Sequence, residues 1–144
     1  MTIAILDDDS KRIDAMQKVL SGYDQGVVHF AGAPEMIAWL AGHLPSLRLL
    51  SLDHDLGPYE AAPNSVPLPG NGQDVVDVLV QHKPTCPVIV HSSNEWASAG
   101  MIVALRQAGW TVRRVVPTDD VLWIESSWAS CVRRELASRQ TQSR

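Results

Sequence analysis

Short apolar runs alternate along this chain with longer stretches in which apolar residues recur every three or four positions, the periods of strands and amphipathic helices. Residues 2 to 6, "TIAIL", read as a first strand. The following "SKRIDAMQKVLSG" sets Ile13, Met16, Val19 and Leu20 on one helical face and stops at Gly22. "VVHFAG" is a second strand, "PEMIAWLAGH" a short helix opened by Pro34, and "LRLLSLD" a third strand. "GQDVVDVLVQHK" makes the third helix, "PVIVHS" the fourth strand, and "NEWASAGMIVALRQAG" the fourth helix, capped by Ser93 or Asn94 and ended by Gly109. "WTVRRVV" is the fifth strand. A last helix begins after Thr118, with Asp119 and Asp120 in its first turn and a stripe of Val121, Ile124, Trp128, Val132 and Leu136.

Near-continuous apolar strands between amphipathic helices predict a parallel sheet covered on both faces, because right-handed crossovers place helices on each side. The expected fold is a doubly wound α/β domain with a five-stranded parallel sheet. A length of 144 residues suits one such unit, spanning residues 1–137 with an extended loop at 57–71, followed by a polar tail at 138–144 that should fray.

Composition narrows the partners. A net charge of −4 argues against binding extended nucleic acid, although a small nucleotide stays within reach. The start "MTIAILDDDSKR" has no secretory pattern and no window is long and apolar enough to span a membrane, so a soluble, cytoplasmic protein is expected. Cys86 and Cys131 stand apart without metal-ligand spacing and read as buried free thiols.

In doubly wound sheets ligands bind beyond the carboxyl ends of the strands. The first strand ends in Asp7, Asp8 and Asp9; the third in Asp53, His54 and Asp55; the fourth in His91, Ser92, Ser93 and Asn94. With the strand order 2-1-3-4-5 these ends are neighbours and converge on one mouth. Carboxylates gathered there repel one another unless a hard divalent cation, most simply Mg²⁺, is held among them. Asp9 has a second reading as the cap of the first helix.

These residues resemble the receiver domains of two-component response regulators, and the resemblance covers nearly the whole chain. The acidic pair in "ILDDD", the aspartate closing the third strand and the serine closing the fourth in "PVIVHSS" stand in that family's order. The resemblance implies a flavodoxin-like fold of strand order 2-1-3-4-5, Mg²⁺ on Asp8 and Asp53 with help from Asp7, a phosphoacceptor position at Asp53, and Ser92 on the phosphoryl group. It also implies a homodimer through the face of the fourth helix, fifth strand and fifth helix, where Trp96, Trp110 and Trp123 fall.

Three departures qualify that picture. The lysine that receivers carry before a proline at the end of the fifth strand is absent from "VRRVVPTD", leaving Arg113 and Arg114 nearby but out of register. A proline-rich stretch, "GPYEAAPNSVPLPGNG", follows the third strand and suggests a partial lid with Tyr59 toward the pocket. His54 and His91 flank the hallmark positions, and "LDHDLG" with "HSSN" resembles the divergent cyclic-phosphate-processing receiver-like group.

Opening a cyclic phosphodiester needs a base for water, an acid for the leaving alkoxide and positive charge on the phosphoryl oxygens. His54 and His91 are the expected acid–base pair, with either able to take either role. Asp8, Asp53 and Asp55 are candidates for holding the metal, and Ser92 and Asn94 for binding phosphate at the start of the fourth helix. An alternative makes the histidines ligands, which would favour Mn²⁺ or Zn²⁺. Three functions follow: a metal-dependent phosphoesterase acting on a nucleotide or RNA-end cyclic phosphate, a stand-alone receiver phosphorylated on Asp53, or a degenerate receiver that only binds a partner.

Overall fold

A computed structural model describes residues 1–57 and 68–142. Five parallel strands, β1 (Thr2–Leu6), β2 (Gly26–Phe30), β3 (Leu47–Leu52), β4 (Val88–His91) and β5 (Val112–Val115), form one sheet in the order β2-β1-β3-β4-β5. Helices α1 (Ser10–Leu20), α2 (Ala33–His43), α3 (Gly72–Leu79), α4 (Glu95–Gln107) and α5 (Ala129–Gln142) connect and cover it. This is the flavodoxin-like, doubly wound fold that the alternation of periods predicts.

Strand residues alternate between faces, and here both faces are buried. Ile3, Ile5, Leu49 and Ile89 point to a core shared with Met16 and Leu20 of α1 and Val132 of α5. Ala4, Leu6, Leu50, Leu52, Val88 and Val90 point to a second core with Met36, Val76 and Met101 of α2, α3 and α4. The odd-numbered parity places His91, the last residue of β4, and Asp7 and Asp53, one step beyond β1 and β3, on the α1/α5 side. The ladders extend far enough to enforce this, since the Asp7 N–H donates to the Phe30 carbonyl and the Asp53 N–H to that of Leu6.

The start of α5 differs from a plain helix. Its stripe Ile124, Trp128, Val132 and Leu136 advances four residues per step, which drifts by about 40° each time on an α-helix of 3.6 residues per turn. A π-helical turn over Ile124–Trp128 takes up part of that drift, and all four side chains are buried. At its far end α5 is assigned through Gln142, and positions 143–144 lie outside the described residues. α3 ends at Leu79, short of the expected Lys83, because Pro84 biases its predecessor away from helical geometry. Among the described residues no helix is long and apolar enough to cross a membrane.

The ends of the proline-rich loop are pinned beside the strand tips. Asp55 and Asn71 form an antiparallel bridge, and the Gly72 N–H donates to the His54 carbonyl at 3.0 Å. Residues 58–67, including Tyr59 and the expected lid, lie outside the described residues. A Cβ on Gly72 would collide with the Asp53 carbonyl oxygen and come within 2.8 Å of the Met101 methyl group. Only glycine lets α3 begin this close to the end of β3. Gly72→Ala is therefore expected to lower unfolding free energy by about 2–3 kcal/mol, the range for overpacking a rigid contact, as read by urea denaturation.

Candidate active site

Asp9 caps α1, its carboxylate accepting from the Lys11 and Arg12 N–H groups at 2.9 and 3.1 Å. Its role is the structural one open to it in the sequence. Asp7, Asp8 and Asp53 each offer a carboxylate oxygen, and these oxygens all lie within 4.8 Å of one another. Asp7 and Asp53 are buried, whereas Asp8 is exposed and accepts from the Gly57 N–H at 2.8 Å. Three hard oxygen donors, two of them desolvated, suit a divalent cation such as Mg²⁺.

The buried end of this cluster is organised by a chain of hydrogen bonds. Trp128 Nε1 donates to Ser51 Oγ at 2.9 Å, Ser51 Oγ lies 2.6 Å from His91 Nδ1, and His91 Nε2 lies 3.0 Å from Asp7 Oδ2. An indole can only donate and an ionised carboxylate can only accept. The indole therefore donates to Ser51 Oγ, and His91 donates its Nε2 proton to Asp7, whichever charge the ring carries. Every polar atom along this chain of bonds is satisfied, which a buried network requires.

His91, expected as one of the acid–base pair, has a fully buried side chain, with its two ring nitrogens against Ser51 and Asp7. His54 lies on the outside. Its Nδ1 is 2.9 Å from Asp55 Oδ1, its side chain retains some exposure, and Nε2 has no hydrogen bond among the described residues. Asp55 belongs to this second unit and not to the metal cluster: its carboxylate turns to His54 and accepts from Asn94 Nδ2 at 3.3 Å.

The proposed phosphate-binding side chains also have local partners. Asn94 caps α4 by accepting from the Ala97 N–H, and Ser92 Oγ accepts from the Asn94 N–H in a buried turn. Arg113 pairs with Glu135 at 2.8 Å, and Arg114 reaches the Ser92 carbonyl at 3.5 Å. Neither places its charge on the carboxylates.

That charge comes from Arg12, which the sequence reading missed. Its guanidinium lies 3.5 Å from Asp53 and 3.7 Å from Asp7 and sits over the Trp123 ring at 5.5 Å. The available signal was its spacing: three residues past the Asp9 cap, it projects from the first turn of α1 back toward the acidic pair. Ser51 was missed as well, and a lone hydroxyl inside the apolar run "LLSL" was its signal, since a buried polar group needs a partner. Trp110 and Trp123 are core residues, leaving only Trp96 of the expected aromatic face exposed.

Burial and partners separate the two buried carboxylates. For Asp7, burial is the largest influence and raises the pKa, but the His91 hydrogen bond and charge, the Asp9 N–H and Arg12 together hold it below its ordinary value. For Asp53, burial again dominates; the His91 and Arg12 charges and the His54 N–H oppose it, the Asp7 charge reinforces it, and the result is a pKa of about 6.

The family model of the cyclic-phosphate processing receiver domain matches residues 3–107. Among solved structures, a CheY-like response regulator receiver domain protein from Methanospirillum hungatei is similar at 17% identity with a TM-score of 0.66, covering 98% of this chain and 97% of that one. A response regulator receiver domain from Rhodospirillum rubrum is similar at 16% identity and a TM-score of 0.65, covering 96% and 94%. The BeF3-activated N-terminal receiver domain of Klebsiella pneumoniae RstA is similar at 18% identity and 0.61, covering 94% and 98%. No curated protein matches the chain.

Two predictions follow from the electrostatics. Asp53 has a native pKa of about 6 against an ordinary value of 3.8, so between those pH values the native state holds a proton that the unfolded chain has lost. Stability falls as pH rises through that window. Asp53→Asn should therefore raise unfolding free energy by about 1–3 kcal/mol at neutral pH in chelator, and the gain should vanish below about pH 4. His91→Ala leaves Asp7 and Ser51 buried without their partner; a loss of about 3–5 kcal/mol in denaturant titrations is expected, with an upward shift of the Asp7 carboxyl pKa in ¹³C NMR.

Proposed function

The chain belongs to the family of cyclic-phosphate processing receiver domains, and we propose that within it this protein is a metal-dependent phosphoesterase that opens a cyclic phosphate on a nucleotide or RNA end. The observation that supports this most directly is the pairing, at one mouth, of a three-carboxylate cluster with an accessible imidazole steadied by a separate carboxylate. A receiver that only accepts phosphate has no use for the His54–Asp55 unit.

Asp7, Asp8 and Asp53 would hold the divalent cation, which when bound supplies charge neutralisation and Lewis-acid polarisation of the phosphoryl oxygens. His91 keeps Asp7 ionised and oriented through the bond to its Oδ2. Arg12 adds fixed positive charge at the same mouth, where receivers place an ammonium, though from a different element. His54 moves the proton. Its Nε2 takes a proton from the attacking water as the new P–O bond forms, then returns it to the ring oxygen as the old P–O bond breaks. Asp55 fixes the ring and stabilises the transient imidazolium. Cyclic diester and water yield a monoester with no other reactant.

Asp53 stands directly beyond β3 beside a guanidinium, which also favours a second reading, phosphorylation of Asp53 as a receiver switch. Incubation with Mg²⁺ or Mn²⁺ and 2′,3′-cyclic or 3′,5′-cyclic nucleotides separates the two. Turnover is expected, falling by about 10²–10⁴ in His54→Ala with metal affinity retained. A hydroxylamine- and alkali-labile phosphoryl group on Asp53 after acetyl phosphate treatment, with no cyclic-nucleotide turnover, would establish the switch instead.

A further inference from the structure

A second polar cavity lies along the edge strand of the sheet, between the end of α4, β5 and the beginning of α5. Its volume is about 580 Å³, and four arginines, Arg106, Arg113, Arg114 and Arg134, line it together with Ser127 and Ser130. Among the described residues no carboxylate contributes to the lining. In a chain whose net charge is −4, this is a marked separation of charge.

The neighbouring groups do not neutralise these arginines. Only Arg113 has an ion pair among the described residues, through its Nε to Glu135. Arg114 is half-buried, and its Nε is buried with no hydrogen-bond partner. Such an atom normally has a partner, and leaving it without one costs free energy. Arg106 and Arg134 are exposed, so their forks are free to close on a ligand. Ser127 and Ser130 are brought to the cavity by the π-helical turn and the first turn of α5, and such π insertions recur at functional positions. Ser130 Oγ accepts from Arg133 and still has its own proton to donate.

We propose that this cavity binds a small molecule carrying two or more phosphate groups. Guanidinium forks pair with phosphate oxygens bidentately, and several forks around one concavity match several anionic groups better than a single orthophosphate. The volume falls within the range of small-ligand sites, large enough for a triphosphate with or without a nucleoside. The assignment is independent of the chemistry at the strand tips.

The test is isothermal titration of the full chain with sodium tripolyphosphate, a nucleoside triphosphate and orthophosphate, in chelator so that no metal recruits anions to the carboxylates. Saturable binding of tripolyphosphate, weaker binding of orthophosphate and loss of affinity at high salt are expected. The nucleoside triphosphate binding as well as tripolyphosphate would show recognition of phosphate alone; tighter binding would add a base contact to the same site. Arg106→Gln combined with Arg134→Gln, both exposed positions, should weaken binding at least tenfold, and Arg106→Lys with Arg134→Lys should weaken it less. Lys18→Gln with Lys83→Gln, which removes the same charge elsewhere, should leave it unchanged. No binding at millimolar tripolyphosphate, or equal weakening by the arginine and lysine pairs in folded variants, would overturn the assignment.

Discussion

The hydrogen bond between His91 Nε2 and Asp7 Oδ2 is the contact on which the acidic mouth depends. Asp7 is fully buried at the tip of β1, and a buried carboxylate that lacks partners takes up a proton or forces the structure open. The imidazole removes that choice. It is itself held by Ser51, and Ser51 by Trp128, so the ionisation of one aspartate is tied to the packing of an aromatic ring at the start of α5. Asp53, which has no equivalent donor in the core, is left with the raised pKa.

The same arrangement divides labour between two histidines that look alike in sequence. Strand parity sends His91 inward with Ile89, toward α1 and α5, while His54 follows the end of β3 and turns to Asp55 in solvent. One imidazole bonds a buried carboxylate and the other a carboxylate at the surface. The receiver frame is retained, and Arg12, placed by the Asp9 cap, stands over Trp123 and faces Asp7 and Asp53. The arginines of β5 point elsewhere, into a cavity of opposite charge to the mouth. Helix α5 therefore borders two electrostatically distinct regions, with Trp128 facing the relay and Ser127 and Ser130 facing the arginines.

Most of the fold was legible in the order of residues. Periodicity marked all five strands and all five helices, and the acids and amides at strand ends marked the mouth. Asp7, Asp8 and Asp53 do come together. Asp55 does not join them, because the bridge to Asn71 and the Asn94 amide draw its carboxylate toward His54. Ser92 and Asn94 lie at the expected strand end, and their side-chain oxygens accept from the N–H groups of the turn into α4, the donors an anionic ligand would also use.

By itself the sequence determined the alternation of elements, the parallel sheet and the tips where polar side chains collect, because hydrophobic period and capping are local properties of a few neighbouring residues. Tertiary structure alone decided which partner each polar group received. His91 meets Ser51 and Asp7 across separations of 40 and 84 residues, and Trp128 meets Ser51 across 77. Such pairings depend on strand register, burial and the approach of helices from distant parts of the chain, and these set the dielectric and the donors that turn similar side chains into different chemical groups.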